Sequence, residues 1–341
     1  MSAGDRRKQA VTSHDVARAA GVSRASVSRA FAADGNISPK LRSHVLQVAQ
    51  DIGYSVNQIA RGLNRQRSDL VGIIASRLDN PHRSAQVEAL TKGIVAKGLR
   101  PLLFCIERNE PVDRILGLLL DYQVSGVIIT SGSPDETIVE RCAAHEVPLI
   151  LVDRPNTDWE RVDHVTGDNV AGGRMVAQAL QEKGRSHITV VRPKRITHAM
   201  SERVDSLMAT CGELDIAVET ILMDGSDYNA ALYSVSHWLT TQNAPARDGS
   251  TALFVPNDIS ALGALDALRA AGLAVPQDIG LMGYDDIAQA AWVGTSLSTV
   301  RQDPDSIAAE VLALLARRIE TPDSPPTTIR IPVTLQLRST H

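Results

Sequence analysis

From residue 70 to residue 283 the chain alternates short β-rich runs with segments of helical period, and this alternation restricts the fold more than any other feature. The β-rich runs fall at 70–76, 101–106, 126–130, 148–153, 188–192, 218–223, 252–255 and 279–283. Helix-period segments separate them at 85–97, 112–122, 136–145, 170–183, 201–214, 229–240 and 259–271. Strands that alternate with helices form parallel sheets covered on both faces, because each parallel connection must cross back over the sheet. Eight such runs are too many for one small sheet, and a chain of 341 residues has room for more than one domain.

The first 68 residues break the pattern. They carry eleven Lys and Arg against four acids, a formal +7, while the remaining 273 residues carry −11, so the modest total of −4 hides a basic module joined to an acidic body. Such a division is the electrostatic footprint of a chain that meets phosphate at one end only, unless the basic segment is a solvated tail. A tail has no fold of its own, and this segment reads as three helices. Thr12 and Asp15 form a capping-box-like start for a first short helix that Gly21 ends. Ser23 caps a second from Arg24 to about Phe31, with Val27 and Ala30 or Phe31 inward and Arg24, Ala25, Ser28 and Arg29 outward. Ser38 and Pro39 start a third, whose inner face is Leu41, Val45, Leu46, Val48, Ala49 and Ile52. Two short helices joined by a tight turn make a helix-turn-helix, which lays its second helix in the DNA major groove.

The segment 11–29, followed by Ile52-Gly-Tyr-Ser-Val-Asn-Gln-Ile-Ala-Arg-Gly-Leu63, closely resembles the headpiece and hinge of the LacI/GalR-type regulators. Two positions depart from that pattern: Val56 stands where a Pro is usual and Ala32 where an Asn is common. The resemblance implies that Arg24, Ala25 and Arg29 face base edges, where an arginine can bond both acceptors of a guanine. It implies phosphate contacts for Thr12, Ser23, Ser26, Ser28 and Asn36, with capping an equal role for Ser23. Residues 57–64 resemble the hinge helix, with Asn57, Ala60, Arg61 and Leu63 at the minor groove and Leu63 as an apolar wedge. So short a helix is unstable in water, so its formation should need DNA and a second subunit.

The resemblance continues through Val152-Asp-Arg154, residues 167–173, Ser201-Glu-Arg203, Pro256-Asn-Asp258, residues 283–286 and residues 297–302. It implies an all-α helix-turn-helix headpiece over 1–56, a hinge and linker over 57–68, and an α/β core over 69–341. The implied core is periplasmic-binding-protein-like, two doubly wound parallel-sheet subdomains. One subdomain takes about 69–166 and 298–328, the other about 167–297 and 329–341. Three crossovers link them, with returns near Thr299 and Ile331. Ligands of open α/β sheets sit beyond the carboxyl ends of the strands. Arg203 as a forked donor and Asp258 as an acceptor match the family's ligand contacts, with Asp153 and Arg154 next; Arg203 paired with Asp153 across the subdomains is the structural alternative. Asp285 and Asp286 are expected to cap the following helix. At Asn80-Pro81-His82-Arg83 the usual pair of aromatic residues is replaced by His82 and Arg83, leaving Tyr228 as the aromatic wall. A small polar effector follows, a sugar, sugar acid or sugar phosphate, and a purine is disfavoured.

Other classes find little support. The most apolar stretch, 115–130, is interrupted by Asp121, Gln123 and Gly126, so no segment spans a membrane. The basic N-terminus has no apolar stretch behind it, which argues against an exported solute receptor and for the cytoplasm. Cys105, Cys142 and Cys211 lie far apart and read as buried small hydrophobes. There is no nucleophile elbow, P-loop or dinucleotide fingerprint, and His145, His187 and His237 lack metal-ligand spacing, so neither catalysis nor a cofactor or metal is expected. The reading is a DNA-binding repressor under effector control, with corepression as the alternative sign. With no leucine-heptad helix after the last strand, a homodimer on a pseudo-palindromic operator is expected.

Overall fold

The computed structural model describes residues 11–31, 36–54, 68–107, 110–154, 159, 161–241 and 246–341. The chain divides into two compact units, Met1–Ser68 and Asp69–His341.

The first unit contains α1 (Ser13–Ala20), α2 (Arg24–Phe31) and α3 (Pro39–Asp51). The Thr12 amide and hydroxyl both donate to the Asp15 carboxylate, at 3.0 and 2.7 Å, which holds that carboxyl below its ordinary range. Gly21 then closes α1 in the left-handed region at φ 66°, a conformation that costs glycine little. Val16, Val27, Ala30, Val45 and Ala49 form the centre of a small core, with Phe31 packed edge-on against Tyr54 at 5.6 Å. His44 fastens α3 to the end of α1 through the Ala20 carbonyl, 3.2 Å away. Leu46 was expected inside but is exposed. It follows the buried Val45 by one position, about 100° around the helix, and three short helices cannot cover so broad a face.

The second unit holds two sheets. The first has six parallel strands in the order β11-β5-β4-β3-β1-β2: β1 is Leu70–Ala75, β2 Arg100–Cys105, β3 Gly126–Ile129, β4 Leu149–Val152, β5 Val162–Gly167 and β11 Thr328–Ile331. The second has four parallel strands in the order β7-β6-β8-β9: β6 is His187–Pro193, β7 Ala217–Met223, β8 Thr251–Phe254 and β9 Gly280–Met282. An antiparallel pair, β10 (Thr299–Arg301) with β12 (Thr334–Gln336), borders the second sheet through the Met282–Ser298 and Asp285–Arg301 bridges.

Helices α4 (Pro81–Ala96), α5 (Asp113–Asp121), α6 (Glu136–Ala144) and α11 (Pro304–Glu320) serve the first sheet. Helices α7 (Asn169–Glu182), α8 (His198–Glu213), α9 (Tyr228–Thr240) and α10 (Asp258–Ala270) serve the second. Within the second group a Cβ on Gly173 of α7 would collide with the Arg203 carbonyl of α8, and one on Gly263 of α10 with the Tyr228 carbonyl of α9. Glycine at these points lets two backbones approach to a distance that no side chain permits.

Elements β5, β10 and α11 were not singled out by periodicity. The crossovers also differ from expectation by a few residues. The strand at 299–301 still borders the second sheet, the return to the first begins with α11, and Thr328–Ile331 pairs with β5 rather than joining the second subdomain. Hydrogen bonding to a neighbouring strand decides these memberships, and local pattern does not carry it. Cys142 and Cys211 are buried, their thiols pushed up to about 12 and about 11 by burial, but Cys105 ends an edge strand and is exposed.

Candidate functional site

On the headpiece, α2 presents Arg24, Ala25, Ser28 and Arg29 together as an exposed face, opposite the buried Val27 and Ala30. Neither guanidinium has a carboxylate partner among the described residues, so both charges are free to meet phosphate or base edges. Ser23 accepts a hydrogen bond from the Ser26 amide at 3.1 Å and lies 3.0 Å from the Ser26 hydroxyl, so it caps the helix. Thr12 and Asn36 are exposed as well. Asn57, Ala60, Arg61 and Leu63, with Val56 and Ala32, lie outside the described residues.

In the core, each sheet has a topological switch point. In the first, β2 and β3 flank β1 on opposite sides; in the second, β7 and β8 flank β6. The loops leaving these strands diverge there and leave a crevice, the usual ligand position of open α/β sheets. A cleft of about 370 Å³ occupies it. Ser76, Arg77 and Asn80 follow β1, Ser131 and Ser133 follow β3, and Arg154 follows β4. Opposite them, Arg195, Thr197 and His198 follow β6, and Ser226 follows β7. Arg83, in the first turn of α4, completes four guanidiniums on a wall with no carboxylate among the described residues.

Asn80 caps α4 by accepting from the His82 and Arg83 amides at 2.9 and 3.4 Å. Arg83 and Arg154 converge on one oxygen, the Thr130 carbonyl, at 3.2 and 2.6 Å. Burial first, and Arg83 second, push the Arg154 guanidinium down to about 10, and its Nε has no partner. Arg77, held at φ 56°, reaches across the cleft to the Ser226 hydroxyl and, at 2.9 Å, the Ser226 carbonyl.

Beneath the cleft runs a buried polar network. Burial would raise the Asp153 carboxyl, but Arg83 and Arg203 nearby, with the Gln86 hydrogen bond, hold it below its ordinary range. Its oxygens accept from Gln86 at 3.3 Å and Thr166 at 3.2 Å, and Arg83 lies 3.6 Å away. Arg203 donates to Asn169 at 2.8 Å, the Pro256 carbonyl at 2.8 Å and Asp285 at 3.2 Å, with its guanidinium 3.8 Å from the centre of the Tyr284 ring. Gln302 ties Asp285, at 2.8 Å, to His82, at 3.2 Å, and burial keeps that imidazole neutral. The network joins both lobes through residues next to two crossovers.

Several expected positions fall differently. Arg203 pairs with Asp285 and not with Asp153. Asp285 and Asp286 cap nothing, because Asp286 is taken by Arg338 at 2.6 Å. Asp258 is wholly buried and accepts from the Ile287 amide at 3.0 Å and the Thr299 hydroxyl at 2.6 Å. Burial, with Asp285 adding repulsion, pushes its carboxyl up to about 7. Tyr228 is no wall of the cleft: its hydroxyl donates to Asp266 on α10 at 2.6 Å, which turns the ring toward the neighbouring helix. Thus Asn80, Arg83 and Arg154 line the cleft, His82, Asp153 and Arg203 support it from below, and Asp258 and Tyr228 stand apart. Arg77, Arg195 and Ser226 were missed, although each follows a strand end closely, the signal that nominated Arg154.

A helix-turn-helix headpiece on a two-lobed core with a cleft defines a DNA-binding transcriptional regulator. Residues 12–57 match the model for bacterial regulatory proteins of the lacI family, and residues 177–341 match a periplasmic binding protein-like domain. The HTH-type transcriptional regulator CelR of Thermobifida fusca is 28% identical over 97% of this chain and 98% of its own. A solved transcriptional regulator CelR–cellobiose complex is 26% identical, with a TM-score of 0.71 over 97% of this chain and 100% of the other. The HTH-type transcriptional repressor PurR of Yersinia pestis bv. Antiqua (strain Antiqua) is 26% identical over 94% of each chain. The lac repressor dimer bound to operator and the anti-inducer ONPF shares the fold, at 24% identity and a TM-score of 0.86 over 97% of this chain and 99% of that one. The chain thus joins a LacI-family DNA-binding domain to a periplasmic-binding-protein-like domain, and the relatives that match it along nearly its whole length are transcriptional regulators. Among the described residues no helix is long and apolar enough to cross a membrane.

Proposed function

We propose that the protein is a cytoplasmic repressor that binds a pseudo-palindromic operator as a homodimer and is released by a small polar effector, a sugar, sugar acid or sugar phosphate, in the core cleft. The observation that carries the reading is the face of α2, where Arg24, Ala25, Ser28 and Arg29 stand exposed over the buried Val27 and Ala30. In this reading Arg24 and Arg29 read guanine edges, Ala25 offers a methyl contact, and Thr12, Ser26, Ser28 and Asn36 position the backbone. Asn57, Ala60, Arg61 and Leu63 act at the minor groove, a role that rests on their sequence alone. The names of the relatives support repression, and the cellobiose held by the CelR complex supports a sugar-like effector.

Control follows from the two lobes. An effector that binds one lobe arrangement better than the other shifts their populations, and DNA and effector affinities are then linked reciprocally. A mobility-shift titration against an operator selected from random DNA tests the reading. Binding to one palindromic class with a two-fold stoichiometry is expected, and indifference to sequence overturns it. Tighter binding on adding effector would reverse the sign to corepression.

A further inference from the structure

The distribution of charge around the cleft selects among effectors. We propose that the effector, taken to occupy this cleft as above, is a phosphate monoester of a small sugar or polyol, its dianionic head seated between Arg83, Arg154 and Arg195. Arg83 and Arg154 share a single carbonyl oxygen, an arrangement in which two cations repel each other with nothing anionic in front of them. Asp153, 3.6 Å from Arg83, lies behind them, buried and already accepting from Gln86 and Thr166, and Glu202 behind His198 is taken by Asn169 and Arg330. Arg195 is exposed on the opposite lobe and has no partner among the described residues. Three guanidiniums thus line the cleft, and no carboxylate stands among its described lining residues. Arg77 is not counted, since it also borders a neighbouring groove that carries Asp79, Glu107 and Asp227.

A phosphate monoester carries nearly two charges at neutral pH and three strong acceptor oxygens, enough for three forked donors. A carboxylate offers two oxygens and one charge. A neutral sugar needs acceptors for its hydroxyl hydrogens, and the carboxylates close to the cleft are engaged elsewhere, Asp153 by Gln86 and Thr166, Asp285 by Arg203 and Gln302, and Glu202 by Asn169 and Arg330. The lining hydroxyls of Ser76, Ser131 and Ser133 remain for the sugar. Because Arg83 and Arg154 belong to one lobe and Arg195 to the other, an anion between them gains most when the lobes approach.

The test uses the full chain at matched ionic strength, with inorganic phosphate, glucose 6-phosphate, gluconate and glucose as probes, followed by thermal shift and by release of selected operator DNA. Inorganic phosphate and glucose 6-phosphate should raise the melting temperature, and glucose should not. Arg195→Gln, at an exposed position, should weaken phosphate binding at least about tenfold, the loss of one charge-assisted bond. Adding Arg154→Gln should abolish it. Glucose binding as tightly as the phosphorylated probes, gluconate binding more tightly than they do, no shift with either phosphate probe, or an Arg195→Gln protein that binds phosphate as before would each overturn the proposal. If these fail while the protein still binds its operator specifically, only the ligand class is wrong. Loss of specific operator binding itself would fell the repressor reading instead.

Discussion

Arg318 and Arg154 are both guanidiniums of the first lobe withdrawn from water, yet they are treated in opposite ways. Arg318 at the base of the lobe donates through Nε and Nη2 to Asp163 at 3.1 and 2.7 Å, and Asp163 also accepts from Arg317 at 3.0 Å and the Thr327 amide at 2.9 Å. Arg154 at the cleft shares a carbonyl with Arg83 and leaves Nε unpaired. The first arrangement is complete without any partner. The second is complete only when something anionic arrives, and the difference separates charge that holds the fold from charge that waits for a ligand.

The largest effect should follow from Asp163→Asn, which leaves Arg318 as an uncompensated buried cation. A loss of about 3–5 kcal/mol is expected in denaturant unfolding. The next concerns pH. Asp258 titrates near 7 in the folded protein and in the ordinary carboxylate range when unfolded, so the folded state holds a proton that the unfolded state has lost. Core stability should therefore fall as pH rises toward about 7 and level off above it. Asp258→Asn should flatten that slope, with the Thr299 hydroxyl turned to accept from the new amide. Asp153 has the opposite sign, its contribution present at neutral pH and lost in acid. Arg24→Ala should cost about 1–3 kcal/mol of discrimination at one operator position and leave the unfolding of the headpiece unchanged; a uniform loss across sequences would reassign it to phosphate. The smallest effect is reserved for Arg154→Met. It removes a crowded cation while Arg83 still serves the Thr130 carbonyl, so ligand-free stability should move by less than about 1 kcal/mol. A loss as large as that from Asp163→Asn would erase the distinction between the two arginines.

The headpiece was legible because its signals are local. A cap, a glycine stop, a second cap and the outward face of α2 all lie within a few residues of each other, and α2 spans Arg24–Phe31 as expected. Leu46 shows the limit, since whether a leucine at the margin of a helix face is covered depends on the neighbouring helices. In the core, Arg154 was legible from its strand end, and Arg77 and Arg195 could have been by the same rule. Tyr228 was misjudged because its partner, Asp266, lies on another helix, and Asp258 because its donors, Ile287 and Thr299, arrive from distant segments.

The sequence by itself determined the alternation of strand and helix, the basic reader at one end, the resemblance to LacI/GalR-type regulators, and the absence of the usual aromatic pair at His82 and Arg83. These depend on neighbours along the chain, whose spacing is set by the 3.6-residue and two-residue periods of the backbone. Only the tertiary structure decided which arginines face the cleft, that Arg203 answers Asp285, and that the carboxylates available to a sugar are turned inward. Those outcomes depend on strand order and on contacts between residues scores of positions apart, where burial forces each charge either to find a partner or to remain open to one.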